Sequence, residues 1–360
     1  MKKILLLSLA TLILTVNQSS AQKGVTTILQ GSATDAEALM RSYLNPMGNA
    51  FGAALNGGWF NTAKSHGLAR FDLTFTANFA FIPSSENNFI VPNGNVIKAS
   101  GTSATSPSIS GNSTTVGPTM NVVVQSPLTG NDTTVTTFQM PKGLYFKSVM
   151  MPILQLNVGL IKQTELAVRY MPEGNVPGVI DSKTHLWGIG FKHGLTQYIP
   201  FGGLAPIDIA LQFGYTSMGS ALDISVKPDA TAIPTSTTDY SGQQLKYNVT
   251  AWTANLLVSK KVAMVTFYGG IGYNHSSSNL ILAGKYPITT IETSTTSANI
   301  GKFKIQDIND PIDLQFNGIK GGRGTLGVRF KLLFFTLHAD YTFAQYSVLT
   351  AGLGFNLDLK

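Results

Sequence analysis

Apolar and polar side chains alternate along several stretches of this chain, most regularly near its C-terminus. In residues 335–343, five apolar side chains alternate with four polar ones, and residues 347–359 continue the alternation. Residues 71–81 show the same pattern, beginning with Phe71, Asp72, Leu73 and Thr74. Successive side chains of a β-strand point to opposite faces, so the pattern predicts strands with one apolar and one polar face.

The alternation predicts ten strands. They are expected at 71–81, 145–158, 163–171, 184–193, 206–217, 245–259, 262–275, 324–332, 334–344 and 347–359. Additional hairpins within 82–144 and 280–306 would each add two strands, so the expected number is 10 to 14, with 12 or 14 favoured. If successive strands run in opposite directions, the long polar connections share one end of the sheet, which is typical of bacterial outer-membrane barrels.

The first 21 residues have the features of a cleaved export signal. Lys2 and Lys3 precede an apolar run, and Ser19-Ser20-Ala21 forms a small-residue cleavage site. A membrane anchor is the weaker alternative, because the run is shorter than the roughly 20 residues that a spanning helix needs. The chain has no cysteine, so disulfides are excluded.

Composition favours a membrane barrel over other exported proteins. Charged residues make up 12% of the chain, and the basic residues behind its net charge of +7 are scattered rather than clustered, which disfavours nucleic acid as a partner. The outward face of a membrane barrel tolerates almost no charge. We therefore predict an all-β, transmembrane antiparallel barrel in the outer membrane of a Gram-negative bacterium, with lipids as partners. An exported soluble β-sandwich is the alternative, since its strands would also alternate.

The segment before the barrel, residues 22–63, is predicted to contain a short helix and a plug or entry element. The helix is expected at 35–44 and is expected to stop at Asn45-Pro46. The Gly-rich stretch 48–63 is either an irregular strand or bend, or an inward-folded plug. The candidate plug residues are Asn45, Pro46, Gly52, Gly57, Gly58 and Trp59. Residues 64–360 form the predicted barrel, whose long outer loops are 82–144, 218–244 and 276–323. An even number of strands would return the C-terminus to the inner side, next to the N-terminal helix.

The stretch from Tyr43 to Phe75 contains Asn45-Pro46-Met47-Gly48-Asn49 and Gly57-Gly58-Trp59-Phe60. In this stretch, and more weakly through the C-terminal strands, the chain resembles an uncharacterised Bacteroidota family of exported β-barrel proteins. The Asn45-Pro46 segment ahead of a Gly-rich stretch is also similar to the long-chain fatty-acid transporter group of outer-membrane barrels. That resemblance implies fourteen strands, an N-terminal hatch inside the lumen and passage of hydrophobic molecules.

Charged side chains on the polar faces are candidate lumen residues. They are Asp72, Lys147, Arg169, Asp208, Arg329, His338, Asp340 and Asp358. His338 and Asp340, with Thr350, Asn356 and Asp358 on the neighbouring strand, could also suggest a hydrolase triad, but a lumen lined with paired charges explains them better. The five histidines have no close metal-ligand spacing, so neither a metal nor a cofactor is expected and the protein is not expected to be an enzyme.

Two functions remain open. The leading hypothesis is a gated channel or transporter for a small hydrophobic molecule, closed by the 22–63 segment. The alternative is a structural or interaction protein of the outer membrane whose outer loops contact partner proteins without any transport.

Overall fold

The computed structural model describes residues 33–101, 104–125, 132–174, 182–199, 207–228, 238–291, 303–316 and 318–357. The expected signal peptide and Asp358 lie outside these ranges. The described residues form one α-helix, α1 (Ala33–Leu55), two 3-10 turns, Ser84–Glu86 and Thr196–Tyr198, and eighteen strands. The strands are β1 (Phe71–Phe81), β2 (Asn88–Ile90), β3 (Ile97–Ala99), β4 (Thr105–Pro107), β5 (Thr119–Gln125), β6 (Asp132–Gln139), β7 (Ser148–Gly159), β8 (Thr164–Gly174), β9 (Ser182–Gly194), β10 (Asp208–Asp223), β11 (Gln244–Val262), β12 (Val265–Ala283), β13 (Lys285–Ile291), β14 (Phe303–Asn309), β15 (Ile312–Phe316), β16 (Lys320–Leu332), β17 (Phe335–Phe343) and β18 (Val348–Leu357).

Ten of these strands close into an antiparallel barrel. Their order around the wall is β1, β7, β8, β9, β10, β11, β12, β16, β17 and β18, and β18 pairs with β1 to complete the circle. Phe71 is opposite Leu357 in that closing pair, and Ala80 is opposite Val348. The prediction of an all-β antiparallel barrel is confirmed, whereas the favoured number of 12 or 14 strands is wrong.

The hairpins that were expected to add strands fold outside the barrel. Strand β5 pairs with β3 and β6, and β13 pairs only with β14 among the described strands. Threonines occur at both alternating sets of positions in Asp132–Gln139, so neither face of β6 is apolar enough for hydrocarbon. Strand β15 does join the main sheet, against the outer part of β12 from Ser278 to Leu282.

The two ends of the barrel differ in the length of their connections. At the short-turn end, residues 160–163, 195–207, 263–264 and 333–334 join neighbouring strands. At the long-loop end, residues 82–147 carry the small strands β2 to β6, and residues 284–319 carry β13 to β15. Residues 224–243 form a third long connection at this end, whereas 344–347 is short. This is the asymmetry that the strand spacing predicts.

The outer surface of the wall carries large apolar side chains that are exposed. On β1, Leu73 is 42% exposed, whereas its inward-facing neighbour Asp72 is 0% exposed. The same alternation continues around the barrel, with Phe213, Phe267, Ile271, Leu326, Leu337 and Leu353 all facing outward. A continuous apolar belt of this kind suits hydrocarbon rather than water.

The inward face changes character along the barrel. On β7, Met151 and Ile153 point inward near the long-loop end, while Gln155 and Asn157 do so near the short-turn end. Strand β11 shows the same change, because its inward-facing residue is Val249 nearer the long-loop end and Asn255 nearer the short-turn end. The half of the lumen near the long-loop end, here called the outer half, is therefore largely apolar. The half near the short-turn end, the inner half, is largely polar.

Helix α1 is longer than the sequence pattern predicts. It continues through Pro46 to Leu55, so the predicted stop at Asn45-Pro46 is wrong, and residues 48–55 are helical rather than an irregular strand or bend. Pro46 removes one N–H donor. Burial of Phe51 and Leu55 in the apolar half of the lumen compensates for that loss. Within the described residues, no helix is sufficiently long and apolar to span a membrane.

The direction of α1 also differs from expectation. Its first turn lies at the long-loop end, where an oxygen of Asp35 accepts hydrogen bonds from the backbone N–H groups of Val96, at 2.8 Å, and Ile97, at 2.9 Å. Strand β18 ends opposite Phe71, at the short-turn end. The predicted helical residues 35–44 therefore lie at the opposite end of the barrel from Leu357, the last described residue, because the chain crosses the whole lumen before β1 begins. The prediction that the C-terminus lies next to the N-terminal helix is wrong.

Candidate functional site

Helix α1 packs closely against the barrel wall through small residues. Gly48 and Gly52 are one turn apart and face Ser278 and Ser276 of β12. An ideal Cβ at Gly52 would lie 2.1 Å from the Ser276 hydroxyl oxygen, so the two backbones approach as closely as they do only because Gly52 has no side chain. Asn56, one turn later, donates to the backbone carbonyl of His275, at 3.2 Å.

Two buried arginines from the wall hold the end of α1. Arg169 of β8 donates to the carbonyl oxygens of Leu55 and Gly57, both at 2.8 Å. Arg323 of β16 donates to the carbonyl oxygen of Asn56, also at 2.8 Å. The last carbonyls of a helix lack partners within the helix and carry partial negative charge. The two guanidinium groups therefore satisfy both the hydrogen bonding and the electrostatics of this helix end.

Trp59 fills a slot made by two glycines of the wall. An ideal Cβ would lie 2.5 Å from the indole at Gly190 of β9 and 2.3 Å from it at Gly214 of β10. The guanidinium carbon of Arg169 lies over the indole, 3.5 Å from the ring centroid. Cation–π attraction thus adds to the close packing that places Trp59.

The chain remains bonded to the wall as it continues toward the short-turn end. The rings of Phe60 and Tyr268 meet edge to face, with centroids 6.1 Å apart. The hydroxyl oxygens of Thr62 and Ser259 are 3.2 Å apart, and the backbone N–H of Ala63 donates to Ser259, at 3.0 Å. We call residues 46–63, which fill the lumen by these contacts, the plug.

A buried charge network fixes the exit of the plug. The Nδ1 atom of His66 lies 2.6 Å from Glu165, and its Nε2 atom lies 3.7 Å from Asp72. Lys192 pairs with Glu165, at 3.0 Å, and Arg329 pairs with Asp72, at 3.3 Å. Burial lowers the pKa of His66, but the adjacent carboxylate of Asp72, and the hydrogen bond and charge of Glu165, outweigh burial and the opposing charge of Lys192. The net effect is a raised pKa of His66.

The predicted lumen residues lie in different places. Five of them face the lumen and are buried: Asp72, Arg169, Arg329, His338 and Asp340. Asp208 begins β10 at the short-turn end, where it is partly buried. Lys147 precedes β7 at the long-loop end and donates to Asn87 and to the carbonyl of Ser110, both at 2.7 Å, so it ties a loop rather than lining the passage.

The candidate plug residues follow one path through the lumen. Asn45 and Pro46 lie in α1 near the long-loop mouth, and Gly52 lies one to two turns deeper against β12. Gly57 and Gly58 follow α1 and face Asn78 of β1, where an ideal Cβ would meet that side chain at 2.9 and 3.0 Å. Gly58 also has a φ of +70°, which favours glycine. Trp59 lies beyond them, in its glycine slot.

Sequence reasoning missed several residues that hold the plug. The candidates do not include Arg323, Glu165 and Lys192. Each of these residues is an even number of positions from inward-facing residues of the same strand, so its side chain also points into the lumen. Alternation within the predicted strands indicates Glu165 and Lys192, whereas Arg323 lies just before the predicted strand 324–332. His66 precedes the first strand, so no periodicity in the sequence indicates its role.

The residues considered for catalysis do not form a triad. Asp340 accepts a hydrogen bond from the Tyr268 hydroxyl, at 2.9 Å, and no partner is recorded for the buried Nδ1 atom of His338 in the described part of the chain. Nor do the described residues include any group of three or more histidine or acidic side chains arranged to hold a metal ion.

The fold and the lumen together define a closed β-barrel that is plugged by its own N-terminal segment. The chain belongs to a family of unknown function, DUF6588, whose model matches residues 1–357. This confirms the prediction of an uncharacterised family. No curated protein matches the chain.

Solved structures of similar fold include outer-membrane β-barrels. Ail, the attachment invasion locus protein of Yersinia pestis, is 8% identical, with 81% of this chain and 100% of Ail covered and a TM-score of 0.25. The outer membrane protease OmpT from Escherichia coli is 7% identical, with 80% and 96% covered and a TM-score of 0.29. The Pseudomonas putida toluene transporter TodX is 8% identical, with 84% and 99% covered and a TM-score of 0.27.

The absence of enzymatic activity stays a prediction. The Bacteroidota origin and the similarity to long-chain fatty-acid transporters also stay predictions.

Proposed function

We propose that this protein is an outer-membrane channel for a small hydrophobic molecule, and that the plug is its gate. The observation that carries the proposal is the position of residues 46–63, which run through the lumen and are buried almost throughout. The exposed apolar belt supports insertion in a bilayer, since only a closed sheet or a helix satisfies its backbone hydrogen bonds in lipid. By analogy with bacterial barrels, the long-loop end faces outward and the short-turn end faces the periplasm.

The contacts of the plug suit a gate that can be released. They are hydrogen bonds, ion pairs and packing contacts, and the chain has no cysteine to form a covalent link. Displacing α1 would uncover apolar wall residues such as Leu186, Met218 and Val249 in the outer half of the lumen. A passage whose outer half is apolar favours a hydrophobic solute over an ion or a sugar.

A reversible disulfide tests whether the plug must move. The Thr62 and Ser259 hydroxyl oxygens are 3.2 Å apart, so Thr62→Cys with Ser259→Cys places two sulfurs within bonding reach and links the plug to β11. In proteoliposomes, we expect oxidation to stop the flux of a small aromatic hydrocarbon and reduction to restore it. Equal flux in both redox states would show that solute does not pass by displacement of the plug.

A second disulfide within the wall is the matched control. The hydroxyl oxygens of Thr184 and Ser220, on β9 and β10, are 2.9 Å apart. Thr184→Cys with Ser220→Cys therefore links two wall strands without changing any of the residues described above as holding the plug. We expect flux through this variant to be the same whether it is oxidised or reduced.

A structural or interaction role is the second candidate, and the outer loops favour it. Strands β2 to β6 and the hairpin β13–β14 give the long-loop end three small sheets that a simple channel does not require. This role predicts negligible flux in every redox state of both disulfide variants, together with a specific partner protein that co-purifies through the loops.

A further inference from the structure

A cavity of about 260 Å³ opens at the long-loop end, between α1 and the segment that follows β1. Its walls are Arg41, Ser42, Asn45 and Pro46 on the helix side and Ser85, Glu86, Asn88 and Phe89 on the loop side. Apart from Pro46, these residues lie outside the plug. The cavity is therefore a separate feature from the contacts that close the lumen.

Polar atoms at this cavity lack partners. The Nε atom of Arg41 and the Oδ1 atom of Asn45 are buried without a hydrogen bond in the described part of the molecule. One turn deeper, the Oδ1 atom of Asn49 is also unpartnered, and that residue is 3% exposed. A buried polar group without a partner is destabilising. A bound molecule that draws the Arg41 guanidinium and the Asn45 amide toward it would give these groups partners.

The cavity also presents opposite charges on its two walls. Glu86 is held in place by the hydroxyl of the fully buried Tyr346, which donates to its Oε2 atom at 2.5 Å. Arg41 supplies a guanidinium from the helix side. A guanidinium binds carboxylates through two parallel hydrogen bonds, and a fixed carboxylate accepts hydrogen bonds from an ammonium group. Phe89 and Pro46 provide apolar surface between the charged groups.

We propose that this cavity binds a small zwitterion with an apolar side group, such as an α-amino acid. Arg41 binds the carboxylate, Glu86 binds the ammonium group, and the side group packs against Phe89. The volume suits such a ligand, because pockets for larger, drug-sized molecules span roughly 300–1,000 Å³. The proposal goes beyond transport, since binding here requires no movement of the plug.

Isothermal titration calorimetry of the full-length protein in detergent tests the proposal with three related compounds. L-phenylalanine carries both charges, 3-phenylpropionate lacks the ammonium group, and 2-phenylethylamine lacks the carboxylate. We expect L-phenylalanine to bind and each analogue to bind at least about tenfold more weakly, because each loses one charge-assisted interaction. No binding of L-phenylalanine, or equal binding of all three compounds, would overturn the proposal.

Two variants test which side chain binds the carboxylate of the ligand and which binds its ammonium group. Arg41→Gln and Glu86→Gln should each weaken L-phenylalanine binding at least about tenfold. Arg41→Gln should leave 2-phenylethylamine binding unchanged, since that compound has no carboxylate. Lys142→Gln, which removes an exposed charge from a connection at the same end, is the matched control and should bind normally. Unaltered binding of L-phenylalanine by Arg41→Gln would overturn the assignment, provided that heat-modifiable gel mobility shows a folded barrel.

The disulfide variant keeps this proposal separable from the channel proposal. Oxidised Thr62→Cys/Ser259→Cys fixes the end of the plug that is far from the cavity, so L-phenylalanine should bind to it as it binds to the reduced form. Loss of binding on oxidation would show that the cavity depends on plug movement and would contradict the inference. Absence of flux with intact binding would count against the channel alone.

Discussion

At the scale of single residues, the plug is held mainly through its backbone, and Arg169 provides the clearest test. Its guanidinium satisfies the carbonyls of Leu55 and Gly57, and it is fully buried. Arg169→Met keeps a long side chain but removes these donors. We expect the free energy of unfolding to fall by about 3 kcal/mol, because each buried carbonyl left unsatisfied costs about 1–3 kcal/mol. Urea unfolding measures the change, and an unaltered midpoint would contradict the role given to Arg169. Exposed Lys142→Met serves as the control.

The glycine slot of Trp59 gives a second prediction at this scale. Gly214→Ala would place a methyl group 2.3 Å from the indole and push Trp59 out of its slot. We expect a loss of about 1–3 kcal/mol in the free energy of unfolding. The emission spectrum of Trp59 should also shift when it is recorded in a Trp187→Phe, Trp252→Phe background. Gly324→Ala is the matched control, because a Cβ there meets nothing within 4 Å. Equal losses in the two glycine variants would refute the packing argument.

His66 makes the attachment of the plug depend on pH. Burial lowers its pKa, but the adjacent carboxylate of Asp72, and the hydrogen bond and charge of Glu165, outweigh burial and the opposing charge of Lys192, so the pKa is raised in the folded protein. A raised pKa contributes stability that is fully present below the ordinary histidine pKa of about 6.5. That contribution is lost as the pH rises through the higher, folded-state pKa.

The variant His66→Gln should therefore reduce stability more at pH 5 than at pH 8.5. Urea midpoints of the wild type and the variant at the two pH values provide the comparison. The backbone N–H of His66, which also donates to Glu165, is present in both proteins and cancels out. A difference between the two proteins that is constant or grows with pH would exclude the proposed pairing.

At the scale of elements, the contact between α1 and β12 fixes the depth of the helix. Gly52→Ala improves helix propensity by about 1 kcal/mol, yet its methyl group would lie 2.1 Å from the Ser276 hydroxyl oxygen. We expect a net loss of about 1–2 kcal/mol from this overpacking. Ser276→Gly removes the obstructing atoms and should rescue the helix variant. A double-mutant cycle measures the coupling, and strictly additive effects of the two changes would show that the contact is not close.

Sequence reasoning located α1 but misjudged its length. Proline disfavours the helical conformation of the residue before it, so Asn45-Pro46 is a sound local stop signal. In the folded protein, however, tertiary burial of Phe51 and Leu55 extends the helix. The four-residue spacing of Gly48 and Gly52 is that of a helix packed closely against another element. That element is a wall strand more than 200 residues away in the chain, so the sequence alone does not identify the contact.

At the scale of the whole molecule, alternation was enough to predict the ten wall strands, because each one must present an apolar face outward and a different face inward. The same pattern overestimated the number of strands in the barrel. Hairpins such as β5–β6 also alternate in part, but neither of their faces is apolar enough to contact lipid. The alternation of side chains along β1 and β8 places Asp72 and Arg169 in the lumen. No pattern in the sequence reveals that Arg169 donates to the end of α1, because that contact depends on how the chain passes through the closed barrel.

Single-channel conductance in planar bilayers tests the central claim most directly. Deleting residues 24–62 removes α1 and nearly all of the plug while leaving every wall strand in place. The full-length protein should remain largely closed, and the deletion variant should show a stable open conductance, once heat-modifiable gel mobility has confirmed that its barrel is folded. Equal conductance of the two folded proteins would contradict the account.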